Sequence, residues 1–262
     1  MVFDFTKPIT GYEALALMLS IFALLLPLIK SAYHRWILKA KLKYLPLGYI
    51  TLMFNESGSY VRLDGVFDVV DKSIAIKEVN LTIKRKIDER TLNLEWEAFI
   101  SPVSQQFGNT YASVSEVAHP FRVDANSVAC GFIEFADLFN TFAKQYKPLR
   151  ENLRKELHGI AIDNQDSQKI YHTYYQLNSY KEAESLLKKE LFWELGEYRI
   201  NLAVKHSDGT DEFKYEFEIG SGEYKDIKHN FCETLNLSIK NYLNQKIEYK
   251  TVSIKLKEVS KR

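Results

Sequence analysis

The chain opens on a run with no polar face. Residues 14–29 (ALALMLSIFALLLPLI) are sixteen positions without a charge and with one hydroxyl, bracketed by Glu13 and Lys30. Carried back to Pro8, the stretch is 22 residues long with Glu13 as its single charge. A helix of that length rises about 33 Å, enough for a hydrocarbon core of roughly 30 Å. Pro27 falls near one end, where a freed carbonyl can find water or a neighbour. A cleaved signal peptide fits less well, because the first 13 residues hold one lysine and two acids rather than a basic region. No small-residue cleavage pattern follows either. The expectation is an uncleaved signal anchor, a single transmembrane helix at about 8–29 within an N-terminal unit of residues 1–30.

Beyond the run the charge changes. Lys30, Arg35, Lys39, Lys41 and Lys43 follow with no acid until Glu56. Cytoplasmic flanks carry such an excess, so the expected orientation is N-terminus outside and body in the cytoplasm. Residues 31–47 read as a basic stalk that continues the helix out of the bilayer, with Pro46 and Gly48 ending it. Lys30 and the stalk's four cations, Arg35, Lys39, Lys41 and Lys43, would meet anionic headgroups, at about 1 kcal/mol each near the surface.

From Gly48 the period falls to two. YITLMF (49–54) and YVRLDGVFDVV (60–70) flank the turn residues Asn55 to Gly58, a hairpin signature. Ile74 and Ile76 share one parity while Val79, Leu81 and Ile83 share the other, which predicts a bulge or a change of partner at Lys77–Glu78. Leu92, Leu94, Trp96, Ala98 and Ile100 alternate with polar residues as in a half-buried antiparallel strand. Residues 101–116 are polar and read as a surface loop. Strands are expected again at 121–123 and 129–135, completing a β-sandwich domain at 48–136.

A helical connector (137–191) is expected next. It comprises one helix at 137–146, a second started by Pro148 and closed by Gly159, and a third opened by the capping-box pattern Ser179-Tyr180-Lys181-Glu182. Residues 192–262 form a second β region. There Tyr198, Ile200, Leu202 and Val204 and then Phe213, Tyr215, Phe217 and Ile219 alternate around Ser207-Asp208-Gly209-Thr210. One long helix at 223–244 and a last strand at 247–256 follow. The expected class is mainly β with helices (α+β), a transmembrane helix followed by modules. Their strand pattern resembles immunoglobulin-like or arrestin-like β-sandwiches, although no family motif matches residue by residue.

Charge and chemistry narrow the function. Of 35 basic and 34 acidic residues, six and two fall in residues 1–43, leaving a body of 29 basic and 32 acidic. Such a body has no general nucleic-acid footprint. Two cysteines exclude a disulfide framework. Cys130 reads as buried, and Cys232 as partly buried, with His229 three residues before it. Phosphate-loop, dinucleotide, nucleophile-elbow, zinc-protease and C-x-x-C signatures are absent from the sequence. His158, Asp163, Asp166 and His172 surround a polar loop and are read as solvated rather than as metal ligands. Tyr171, Tyr174 and Tyr175 cluster near a helix start and are the candidate partner surface, since tyrosine is enriched at interface hot spots. No catalytic, cofactor-binding or metal-binding residue is expected.

The expected function is therefore a non-enzymatic, membrane-anchored binding module. Its expected partners are the lipid bilayer and a protein or peptide met at the membrane. The alternatives are a structural subunit of a membrane assembly, including a homo-oligomer, and an enzyme whose site has no local signature.

Overall fold

The computed structural model of the protein describes residues 10–33, 39–107, 110–137, 141–163 and 166–259. The apolar run forms α1 (Gly11–Ala32). Thr10 caps it. Its Oγ1 accepts from the Glu13 amide (3.4 Å), while the Thr10 amide donates to the Glu13 carboxylate (2.9 Å). This reciprocal pair satisfies two donors that a helix start otherwise leaves free.

The body is a single antiparallel sheet with helices at one end. Its strands are β1 (Lys41–Asn55), β2 (Gly58–Val70), β3 (Ile74–Arg85), β4 (Thr91–Phe107), β5 (Thr110–Val117), β6 (Phe121–Val123), β7 (Ser127–Cys130) and β8 (Ile133–Ala136). After helices α2 (Thr141–Asp163), α3 (Ser167–Gln176) and α4 (Asn178–Glu190) come β9 (Gly196–His206) and β10 (Gly209–Ile219). Helices α5 (Ser221–Leu235) and α6 (Leu237–Tyr242) and the short strands β11 (Val252–Lys255) and β12 (Lys257–Glu258) complete it.

The order across the sheet is β11-β1-β2-β8-β4-β3-β9-β10-β12, with β5, β6 and β7 added on β4, β3 and β2. Because β11 pairs with β1 and β12 with β10, the C-terminal strands lie against both ends of the sheet and nearly close it. The two β regions thus share one sheet and one core. Pairing of β3 with β9 joins them, and Leu63, Phe67, Leu81, Ile200 and Leu202 are packed in the same buried cluster. This continuous, nearly closed sheet does not establish the separate stacked sheets of an immunoglobulin-like or arrestin-like sandwich.

Several local expectations meet the structure directly. The hairpin β9–β10 turns through Ser207 and Asp208, with Gly209 at φ +153°, a backbone region that glycine tolerates. The parity switch at Lys77–Glu78 is a register shift between Ile76 and Glu78, where β3 leaves β6 and takes β4 as its partner.

Other expectations are corrected. The stalk helix does not reach Lys43: α1 ends at Ala32, and Lys41 and Lys43 already stand in β1. The reason is an alternation that the lysines mask. Leu42 and Tyr44 point inward and are buried, while Lys41, Lys43 and Leu45 point outward. The loop expected over 101–116 is instead strand in its described part: residues 101–107 belong to β4 and 110–116 to β5, and the two strands pair with a register shift between Ile100 and Ser104. Pro148 starts no helix and lies inside α2, which also runs through Gly159. The strand expected at 129–135 splits into β7 and β8 at Gly131. A Cβ on Gly131 would meet the Phe67 ring at 2.6 Å. Ser179 caps nothing; it is buried and donates to Glu156 at 2.9 Å. The helix expected over 223–244 is broken at Asn236 into α5 and α6.

Candidate functional site

Two regions of the surface stand at opposite ends of β1. The strand starts at Lys41, where the chain enters from α1, and ends at Asn55 under the helical layer, where Phe54 joins the second buried cluster with Phe142, Leu153, Tyr174 and Ile239. At about 3.3 Å per residue, its fifteen residues separate the two regions by roughly 45 Å.

The first region begins with α1, which is long and apolar enough to cross a membrane and none of whose residues is buried. Leu24 is 74% exposed and Leu28 65%. An apolar helix bare on all sides needs lipid or another apolar surface around it. Residues 33–40 lead from it into β1, and the body holds the end of that link. The Asp208 carboxylate accepts from the Ala40 amide (3.3 Å) and from Lys72 Nζ (3.0 Å). Burial works against the Asp208 charge, and the Lys72 and Ala40 hydrogen bonds outweigh it, holding the carboxyl below its usual range.

Of the five cations expected at the membrane surface, Lys30 lies in the last turn of α1 and Arg35 lies outside the described residues. Lys39, Lys41 and Lys43 are exposed. Lys41 forms an ion pair with Asp71 at 2.9 Å, and that hydrogen bond raises its affinity for its proton. On the same outward face of β1 follow Leu45, Leu47 and Tyr49, 49%, 58% and 55% exposed. Val66 and Cys130 continue this band across β2 and β7. Cys130 is therefore exposed, not buried, and Cys232 is exposed too. His229 is turned to the Glu248 carbonyl (2.9 Å), away from the role of base to Cys232.

The far end carries the three tyrosines. Tyr174 is fully buried, and its hydroxyl donates to the Leu235 carbonyl at 3.0 Å. Tyr171 donates to Gln245 (2.6 Å) and is partly buried. Tyr175 remains 43% exposed, edge-to-face with Tyr180 with ring centres 5.2 Å apart. The cluster is thus partly core, and Tyr175 is its most accessible member. Burial first, and then Tyr146 and Tyr180, push the Tyr174 phenol well above its usual range, so it stays a donor.

Beside it lies a groove of about 900 Å³ between α2 and α6. Arg150, Arg154, Lys155 and His158 of α2 line one wall; Ser238, Asn241 and Tyr242 of α6 line the other. Leu157 and Leu237, both buried, form an apolar floor. The geometry follows from two local features. Leu149, Leu153 and Leu157 turn inward at helical spacing, which leaves Arg150, Arg154 and His158 as a parallel row on the accessible side. The break at Asn236 turns α6 across α2. Tyr146 and Tyr174 stabilise the break by donating to the carbonyls of Thr234 (2.7 Å) and Leu235 (3.0 Å). The row at 150, 154 and 158 was visible in the sequence at i, i+4, i+8, but the facing wall comes from about 85 residues downstream.

Glu97 and Glu134 are raised by burial, yet neither lines the groove or the smaller 260 Å³ pocket beside Glu78 and His119. Among the described residues, no group of three or more His, Cys, Asp or Glu is placed to hold a metal ion. Asp166 caps α3, His172 meets Gln176 (2.9 Å) and His158 lines the groove; the Asp163 side chain lies outside the described residues. No protein-family model and no curated protein matches the chain.

Proposed function

We propose that the protein is a single-pass membrane protein whose body is a binding module for a protein or peptide partner, working without catalysis. In this reading α1 spans the bilayer with its N-terminus outside, and the body lies in the cytoplasm, its nearly closed sheet used as sandwich modules of immunoglobulin or arrestin type are used. The observation that carries the reading is the pairing of a bare apolar helix with a body that holds the end of its link through Asp208. In this reading the tether sets which face of the sheet would meet the membrane. Lys39, Lys41 and Lys43 and the band Leu45, Leu47 and Tyr49 would lie toward the headgroups, where cations and amphipathic aromatics are favoured. The helical end and its groove would then face away from the membrane, open to a soluble partner.

The test is site-specific photo-crosslinking in living cells, with a photoreactive residue placed in turn along the outward face of β1, at Tyr175 and at Asn241. Discrete crosslinked products from at least one of these sites, reproducible and lost on detergent solubilisation, support a binding module. A chain that forms no crosslink from any of them does not bind a partner through these faces, and the proposal falls.

A further inference from the structure

The groove between α2 and α6 has a chemistry specific enough to define its occupant. The row Arg150, Arg154 and His158 rises about 6 Å per step along α2, at 1.5 Å per residue, and Lys155 flanks it. Arg150 is partly spent: it lies 4.0 Å from Glu56, which also accepts from the Tyr249 hydroxyl (2.9 Å). Among the described residues, Arg154, Lys155 and His158 have neither a carboxylate partner nor a hydrogen bond. Glu151 is the remaining acid on the groove, so its cations are in excess.

The spread of charge separates candidate ligands. A phosphate or a single carboxylate needs donors converging on one point. Here Arg150, Arg154 and His158 run about 12 Å along a helix, opposite hydrogen-bonding groups on Ser238 and Asn241 and the ring of Tyr242. In an extended peptide alternate side chains share a face at about 6.6 Å spacing, close to the 6 Å step of the row. A lipid headgroup is disfavoured by position, since the groove lies at the end of β1 opposite Lys41, where the chain enters from α1.

We infer that the groove binds an extended acidic segment of a partner protein, with alternate carboxylates on Arg154 and His158, Lys155 flanking them, and intervening side chains against Tyr242 and Leu237. This inference rests on the binding-module reading and names the partner's chemistry within it.

The full chain in nanodiscs of neutral phosphatidylcholine is titrated into a fluorescein-labelled peptide of roughly nine residues that alternates glutamate with alanine and tyrosine, and anisotropy is read. A second peptide replaces every glutamate by glutamine. The acidic peptide is expected to bind at least about tenfold more tightly than the glutamine peptide, and added salt weakens it. The variant R154E/K155E is expected to lose about tenfold in affinity with an unchanged circular dichroism spectrum; R154Q, which alters one exposed side chain, gives a smaller loss in the same direction. Equal binding of the two peptides, or an acidic-peptide affinity that R154E/K155E leaves unchanged, overturns the inference. Displacement of the acidic peptide by millimolar inorganic pyrophosphate at a site lost in R154E/K155E, with no preference over glutamine, overturns it in favour of a small-anion site. If the peptide fails while crosslinks form along β1 or at Tyr175, the groove assignment falls and the binding-module reading stands. If crosslinks are also absent, both fall.

Discussion

Replacing Tyr174 by phenylalanine removes one oxygen from a fully buried side chain and leaves the ring in place, so no cavity opens. What is lost is the hydrogen bond to the Leu235 carbonyl at 3.0 Å, where the chain turns from α5 into α6. A helix end leaves its last carbonyls without backbone partners, and a buried acceptor without a donor costs about 1–3 kcal/mol. Tyr174→Phe is therefore expected to destabilise the body by about 1–2 kcal/mol. Tyr146→Phe, which removes the 2.7 Å bond to Thr234, should cost a similar amount. The double variant is expected to lose about 2–4 kcal/mol, and less than strictly additive loss would report that the adjacent carbonyls relax together. The assay is urea unfolding in mild detergent, read from the fluorescence of the buried Trp193, with Tyr175→Phe as the exposed control. Because α6 forms one wall of the groove, acidic-peptide affinity should also fall in both single variants. A Tyr174→Phe variant within about 0.3 kcal/mol of Tyr175→Phe would refute the idea that these hydroxyls hold the helix break.

Further outcomes follow from other contacts. Gly65→Ala would place a Cβ 2.5 Å from the Tyr44 ring and 2.8 Å from the Leu45 carbonyl, so a loss of about 1–3 kcal/mol is expected in the same unfolding assay. Asp208→Ala should free the Ala40 amide, and hydrogen exchange at Ala40 is expected to accelerate about tenfold or more while core strands stay protected. Stability should depend on pH in two opposed limbs. Burial raises Glu97 and Glu134, so their contribution is full below the ordinary carboxylate range and is lost as pH rises through their raised values. The Arg85 guanidinium holds Asp88 down to about 2, so its contribution is full above 3.8 and is lost as pH falls toward 2. Thermal unfolding should thus show a gain on mild acidification and a loss in strong acid, the first limb flattened by Glu134→Gln and the second by Asp88→Asn.

Local pattern made part of this architecture legible. The β9–β10 hairpin was readable because its alternation is strict and Gly209 marks its turn, and the β3 bulge because Ile76 and Val79 fall on opposite parities. The closure of the sheet was not, since Tyr49 pairs with Lys255 across about 200 residues and no local period records such a partner. Residues 41–47 misled because exposed lysines and Leu45 disguised a strand as the tail of a helix. The break at Asn236 was hidden because its stabilising donors, Tyr146 and Tyr174, belong to other helices. The tyrosine cluster was legible as a cluster, but the burial of Tyr174 depends on α5 and α6 lying over it. The groove shares this origin: its cationic row is local, while its second wall is brought by the long-range fold.

The most direct measurement is the side of the membrane on which the body lies. Cys130 and Cys232 are exposed and would react, so both are replaced by serine, and Ser185, exposed on α4 at the helical end, becomes the single cysteine through Ser185→Cys. Cells expressing this chain are treated with a membrane-impermeant maleimide before and after lysis, and the membrane fraction is washed with alkaline carbonate. The expected result is a chain that stays in the carbonate-washed membrane and is labelled only after lysis. Release into the carbonate wash would contradict the span by α1, and labelling of Ser185→Cys in intact cells would contradict a cytoplasmic body.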